Sequence, residues 1–456
     1  MRGHGFVAAA AALGAAAFVL SGCVSTPNTA VAARADALMR DLSGRALFQG
    51  AVVLSRGGRV EYAAGFGFAD IERQQPFTPD TPTDGASVAK TFTAAALLML
   101  ANEGRVDLDA PVRSVLPEYP HATTRLRHLL AHSAGLPDYA WLDARAAASD
   151  VRTNTRHLAL VARDAPTPAF APGTQFAYDN VAYDVAAMVL TRITDSNYAD
   201  VVAERFSKPL GLAAFVRPAR FADWQGPRTR GYRRTAAGWR DHDALDGEGF
   251  HGAANLYLSA RDLCRWAEGY SRVVAADARR AAVTPARLDD GRATGITLGS
   301  WYVSADHRQR YYTGHHNGFH NFVYADEARG LAIAWVANDA PPAWLQPALA
   351  RALIAIAEGR EAEALVPPAA SAAPAHFDGN YRVPRVGELT IRRQGQGLQV
   401  RLGGVDYATF AVARGVHYAP GLDAYLRFAV APDGGALLSW DSVFVVAAGV
   451  LRQGPR

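Results

Sequence analysis

The chain has 456 residues, half of them hydrophobic, and 47 Lys and Arg against 43 Asp and Glu give a formal net charge of +4. That length holds one large domain plus a small one, or two of middling size, with enough apolar residues for a sizeable core. The charge is modest and no Lys/Arg run or basic-aromatic stripe occurs, which argues against nucleic acid as a partner.

The first 23 residues read as a targeting signal to be kept out of the fold. Arg2 supplies the charged end, Val7 to Leu20 the apolar run, and Leu20-Ser21-Gly22-Cys23 the processing site. This ending resembles a bacterial lipobox. The resemblance implies lipidation at Cys23, export, and a lipid anchor in a membrane. Val24 after the cysteine further implies the outer membrane, with the protein facing the periplasm. The apolar run is too short and Ala-rich for a transmembrane helix. With Cys23 acylated, Cys264 has no disulfide partner and reads as a small buried apolar residue.

Val31 to Leu42 has helical apolar spacing, and Gln49 to Ala64 holds two strand-like runs around Arg56-Gly57-Gly58-Arg59, a hairpin signal. The stretch Asp84 to Gly104 then reads as a turn followed by a helix that is apolar on every face from Phe92 to Leu100, hence central rather than superficial. Ser87 and Lys90 stand three residues apart at its amino end, one turn apart on one face. A serine hydroxyl is a poor nucleophile until a neighbouring base takes its proton, and burial at a helix amino terminus is the setting in which a lysine amine serves as that base. Taken alone, S-x-x-K is a common pattern and a helix that merely contains it is the plainer reading.

The chain then reads as mostly helical to about Tyr270. Strand-like runs return at 300–304, 310–313, 322–324 and 331–337, and 344–357 closes as a helix. Strands at both ends with helices between predict an α/β (α+β) fold. Its antiparallel sheet, flanked by helices, pairs the early hairpin with the late strands beside an all-helical lobe, and a cleft between receives Ser87. Residues 366–375 are a Pro/Ala linker by composition. Residues 376–456 alternate short apolar runs with Gly-rich turns, a small all-β barrel or sandwich. No His, Asp or Glu cluster there suggests chemistry, and few contacts are expected to cross the linker.

Three sites join the serine and lysine. Tyr178-Asp179-Asn180 precedes a helical run, with a phenol able to relay a proton and an amide able to orient a carbonyl or the lysine. In isolation such a tyrosine reads as a packed aromatic. In Y-Y-T-G-H-H-N-G-F-H, Gly314 marks a strand position where backbone must approach something closely. With S-V-A-K at Ser87–Lys90, Y-D-N at Tyr178–Asn180 and Tyr312-Thr313-Gly314, residues 31–360 resemble the serine β-lactamase and penicillin-binding-protein-like superfamily. The nearest patterns are class C β-lactamases, family VIII carboxylesterases and D-amino-acid peptidases. Leu126–Tyr139 and Gly252–Trp266 are further landmarks.

The resemblance implies a β-lactamase/transpeptidase-like fold for 24–365. It implies Ser87 as nucleophile, Lys90 as its activator and Tyr178 sharing in proton transfer. Asn180, Tyr312, Thr313, Gly314 and His315 would contact the substrate, with the backbone N–H groups of Ser87 and His315 as the oxyanion hole. No cofactor or metal is implied. The partner is a small-molecule or peptide-like substrate, and the oligomeric state stays open. Two departures stand out: Tyr312 replaces the usual Lys or His, and Gly252–Asn255 reads G-A-A-N where paired glycines are frequent. The C-terminal β region resembles small lipocalin-like modules appended to some members.

Other readings compete. His315, His316 and His320 cluster, but no carboxylate completes a zinc pattern. Gly85 to Ala89 lacks the second glycine of a nucleophile elbow. His128 and His132 read as loop-fixing residues. The expected activity is ester or amide cleavage through an acyl-serine. The alternatives are a β-lactamase, a D-amino-acid peptidase, or a non-catalytic protein that binds peptidoglycan-like ligands or a partner.

Overall fold

The computed structural model describes residues 29–147, 150–226, 228–235, 238–367, 376–395, 397–430 and 436–452. The targeting signal with Cys23, and positions 368–375 of the linker, lie outside the described residues.

Helix α1 (Thr29–Gly44) buries Val31, Ala35, Met39 and Leu42, the stripe that three- and four-residue spacing predicts. It lies against the hairpin β1 (Gly50–Arg56) and β2 (Arg59–Phe66). That hairpin is completed by strands from the far end of the hydrolase region: β3 (Tyr302–Val303), β4 (Gln309–His316), β5 (Phe319–Asp326) and β6 (Leu331–Ala337). The sheet order is β3-β4-β5-β6-β1-β2, with β1 antiparallel to β6 from Gly50↔Ala337 to Arg56↔Leu331. Every residue of β6 is buried, which is why Leu331–Ala337 is apolar without alternation: both of its faces are covered.

The Ser87 helix α2 (Ala89–Asn102) is the centre of the second lobe. Eleven of its fourteen residues are buried. It packs beside α3 (Val181–Thr194), and Phe92 stacks at 3.9 Å on Trp266 of α4 (Ala260–Val273). The Trp266 indole donates to Thr91 Oγ1 at 3.1 Å. Helix α4 in turn rests on β1, β5 and β6, so one tryptophan joins the helical lobe to the sheet. The stretch read as mostly helical contains short ribbons, Thr83–Asp84 with Leu256–Leu258 and Phe215–Val216 among them. Two- or three-residue strands are too short for a period of two to show in sequence.

After α5 (Leu345–Ala357), nine strands between Gly379 and Arg452 form one antiparallel sheet. Tyr381, Ile391, Val400, Leu426 and Leu438 fill its interior. The expectation of few contacts across the linker does not hold. Phe444 meets Tyr311 at 4.9 Å and Tyr407 meets Phe176 at 5.2 Å. The Tyr425 hydroxyl donates to Gln346 Oε1 at 3.0 Å, and Arg351 pairs with Asp441 at 2.8 Å. These contacts come from single turn and strand residues, which no composition-based boundary registers.

Candidate active site

Ser87 sits on a short 3-10 turn, Ala86–Val88, that runs into α2. Ala86 is buried with φ of 48°, a left-handed conformation that costs a residue with a side chain roughly 1–3 kcal/mol. Asp84 holds it there. Its Oδ1 accepts the Ala86 N–H at 2.8 Å and the Asn255 N–H at 3.0 Å, while Oδ2 meets His316 Nδ1 at 2.7 Å. Burial works to lower the His316 pKa, but the Asp84 carboxylate overrides it and the net direction is up. One carboxylate thereby joins the nucleophile turn, the 252–255 loop and the third-motif strand.

Lys90 is fully buried and its Nζ lies within hydrogen-bond distance of three oxygens: Ser87 Oγ at 3.1 Å, Asn180 Oδ1 at 2.8 Å and the Ala253 carbonyl at 3.0 Å. The G-A-A-N departure now has a role. Gly252 takes φ of 102°, and a Cβ there would stand 2.4 Å from the Tyr183 carbonyl. Only glycine lets the loop pack closely enough to present the next carbonyl to Lys90.

The Tyr178 hydroxyl reaches Ser87 Oγ at 3.0 Å and the Tyr312 hydroxyl at 3.2 Å. The nucleophile oxygen is thus in proton-transfer range of both an amine and a phenol. The ring of Tyr178 stacks on His132 at 4.5 Å, and His132 Nδ1 accepts the Asp179 N–H at 3.0 Å. Burial, with the charge of Lys90 behind it, pulls the His132 pKa down to about 3, so the ring is a neutral packing surface at physiological pH. His132 therefore fixes the position of Tyr178. His128, whose Nε2 meets Asp289 at 3.2 Å, ties its loop to the 289 turn.

In β4 the third motif runs past the serine. Tyr312 is buried and stacked on Tyr302 at 5.3 Å, and burial pushes its pKa well above the usual tyrosine range, so it brings no charge. Thr313 Oγ1 donates to Asp423 Oδ1 of the C-terminal module at 3.0 Å. What Gly314 approaches is the nucleophile turn itself: a Cβ there would lie 2.5 Å from the Gly85 carbonyl and 3.2 Å from Ser87 N. The His315 ring lies 4.5 Å from His320 and 5.6 Å from Tyr418, and burial lowers its pKa to about 4.

Ser87, Tyr178, Asn180, Tyr312, Thr313 and His315 all line one cavity of about 310 Å³, closed on one side by Leu136 and Phe170. The opposite wall was not legible in the sequence: Phe410, Tyr418 and Pro420 come from the module, and the Tyr302 hydroxyl donates to the Pro420 carbonyl. A larger cavity of about 490 Å³ lies between α5 and the module, but its lining of Arg351, Arg427, Glu358 and Asp441 holds no nucleophile with a base beside it. The smaller one is where chemistry is possible. Among the described residues no group of three or more His, Cys, Asp or Glu is placed to hold a metal ion, and no helix is long and apolar enough to cross a membrane.

The Beta-lactamase family profile matches residues 35–358, well over half of the chain. The chain belongs to the Beta-lactamase family. This Beta-lactamase family member is 27% identical over 176 residues to Penicillin-binding protein 4* of Bacillus subtilis (strain 168), a match covering 38% of this chain and 39% of that protein. The chain thus spans about two fifths of the length of that curated relative. Among solved structures, SurE superposes with a TM-score of 0.61 at 24% identity, over 92% of this chain and 99% of that one. A D-stereospecific amidohydrolase from Streptomyces sp. does so at 0.53 and 25% identity, over 66% and 94%. The SurE match covers the C-terminal module as well as the hydrolase region and speaks for the fold. Family and neighbours together support a serine hydrolase in general terms.

Proposed function

We propose that this protein cleaves esters or amides through an acyl-Ser87 intermediate, preferring substrates that carry no carboxylate beside the scissile bond. The observation that carries the reading is Ser87 Oγ held between Lys90 Nζ at 3.1 Å and Tyr178 OH at 3.0 Å at the wall of a cavity. In the first step Oγ attacks the substrate carbonyl and its proton passes to the Lys90–Tyr178 pair, which acts as general base in the form one proton short of ammonium plus phenol. Negative charge on the former carbonyl oxygen is met by the backbone N–H groups of Ser87 and His315. The tight approach of Gly314 to Ser87 N supports that pairing of the strand with the nucleophile turn, and such donors act on charge that appears only in the transition state. The pair then protonates the leaving alkoxide or amine, and water releases the acyl group by the same route in reverse.

The preference against carboxylates rests on Tyr312 and on the cavity lining, which contains no Lys or Arg. A charged hydrogen bond contributes roughly 1.5–3 kcal/mol against about 1 for a neutral one, so the missing cation costs on the order of tenfold for a carboxylated substrate. The test is kcat/KM for a penicillin beside a short-chain aryl ester on one preparation. The ester is expected to win. A penicillin value equal or higher would make β-lactamase the better reading.

We also propose, from the L-S-G-C sequence alone, that Cys23 carries a lipid and holds the exported protein to the outer membrane. Mass spectrometry of the mature amino terminus tests this, and an unmodified terminus removes it.

A further inference from the structure

The wall supplied by the C-terminal module has a definite hydrogen-bonding character. Asp423 lies behind the cavity, only 5% exposed, and its Oδ1 accepts from Thr313 Oγ1 at 3.0 Å and from the Tyr418 hydroxyl at 2.7 Å. Each of these hydroxyls has a single hydrogen, and both hydrogens are given to the carboxylate. Thr313 and Tyr418 both line the cavity, so toward a substrate they present oxygen lone pairs and no donor. The polarity of this wall is acceptor-only.

The charge balance points the same way. Among the described residues Asp423 forms no ion pair with a lysine or arginine, and no Lys or Arg lines the cavity. Asp138 adds a further carboxylate to the lining, and the neighbouring His315 is neutral at physiological pH. A substrate carboxylate placed against this wall would meet lone pairs and, behind them, the Asp423 carboxyl, whose pKa burial already raises and a nearby anion would raise further. A protonated amine would meet two acceptor oxygens with a carboxylate immediately behind them, the arrangement in which charge-assisted hydrogen bonds are strongest. Thr313 directly precedes Gly314, the residue packed on the nucleophile turn, so this wall sits next to where the acyl group must lie.

We infer that Thr313, Tyr418 and Asp423 form a subsite for a primary ammonium group on the acyl side of the substrate, so that the protein acts on aminoacyl esters or amides with a free amine. The inference rests on the acyl-Ser87 reading and adds the acyl-group specificity that reading leaves open. It also assigns the C-terminal module a part in substrate selection, with Asp423 as a specificity-determining residue.

The test compares two near-isosteric substrates at pH 7, alanine p-nitroanilide and lactic acid p-nitroanilide, in both configurations. They differ in an ammonium against a hydroxyl. The wild-type protein is expected to favour the alanyl substrate in kcat/KM by on the order of tenfold to a hundredfold. In Asp423→Asn the ratio falls toward one, mainly through a higher KM for the alanyl substrate. Tyr418→Phe keeps the ring, removes one acceptor oxygen, and lowers the ratio several-fold; it decides the matter where Asp423→Asn does not fold. A wild-type ratio of one in both configurations, or a ratio unchanged in the folded variants, overturns the subsite. Labelling of wild-type Ser87 by a serine-reactive phosphonate is measured beside it. Absent labelling overturns the acyl-serine reading beneath the inference, whereas labelled protein with a ratio of one overturns the ammonium subsite alone.

Discussion

The two walls of the cavity differ in how they are written in the sequence. On the hydrolase side, Ser87 and Lys90 are three residues apart and their geometry follows from helical pitch, so their contact at 3.1 Å was readable before any fold was known. On the module side, Thr313 meets Asp423 across 110 positions, and neither residue stands in a pattern that announces the meeting. The difference teaches that proton chemistry is legible where local geometry enforces it. A docked wall is legible only after the domains are placed.

The largest effect expected belongs to the legible side. Ser87→Ala should lower kcat by several orders of magnitude and abolish phosphonate labelling, and Lys90→Ala should do nearly the same, because nucleophile and base act as a unit. Turnover by Ser87→Ala at the wild-type rate would move the chemistry elsewhere. A chain ending at Pro367 sharpens the other half of the comparison. It would uncover Tyr311 and Phe176, which now face Phe444 and Tyr407, and leave Gln346 and Arg351 without their module partners. Aromatic pairs contribute roughly 0.5–1.5 kcal/mol each beyond area burial, and the hydrogen bonds about 1 each. The sum is several kcal/mol, about 10 °C in Tm for a domain of this size. A Tm for the shortened chain equal to that of the full protein would show that the module is only loosely attached.

A third change probes the cavity floor. Burial raises the Asp179 carboxyl to about 7, while its Oδ1 accepts the Ala182 N–H at 3.0 Å. A carboxyl whose folded pKa exceeds its unfolded value contributes stability that is complete below about pH 4 and lost as pH rises through 7. The full span corresponds to roughly 4 kcal/mol. Asp179→Asn keeps an acceptor for Ala182 and removes the titration, so its Tm should fall less than that of the wild type between pH 5 and pH 8. Parallel curves would mean that Asp179 is solvated more than its burial implies.

Much of the hydrolase region was legible for physical reasons. The continuous apolar run of α2 marked a central helix, and the period of the early hairpin and late strands marked one sheet, which β1 and β6 realise by pairing along their length. Gly314 read as a close approach because no other residue tolerates one. What escaped falls into two kinds. The Ala253 carbonyl is a backbone group, and any residue carries one; its only trace was the glycine beside it. Phe410, Tyr418, Pro420 and Asp423 are residue types found at the turns and edges of any β module, so their part in the cavity depends on docking, not on local spacing.

The smallest effect bears most directly on that docking. Tyr425 and Gln346 are both buried, and the hydroxyl of one donates to the side-chain oxygen of the other at 3.0 Å across the boundary between module and α5. The Gln346 amide nitrogen is already engaged with the Pro341 carbonyl at 3.1 Å, so its side chain is fixed and cannot turn to find another donor. Tyr425→Phe removes the donor, preserves the ring, and leaves the Gln346 oxygen with the His315 ring as its remaining hydrogen-bond partner, at a cost of about 1 kcal/mol. If module and hydrolase domain unfold as one cooperative unit, a single calorimetric transition shifts down by a few degrees and keeps its shape. If they unfold separately, the two transitions move apart or only one of them moves. That outcome would make the module wall of the cavity a mobile one, since a surface that detaches without unfolding its neighbour cannot hold Thr313 and Asp423 in a fixed register beside Ser87.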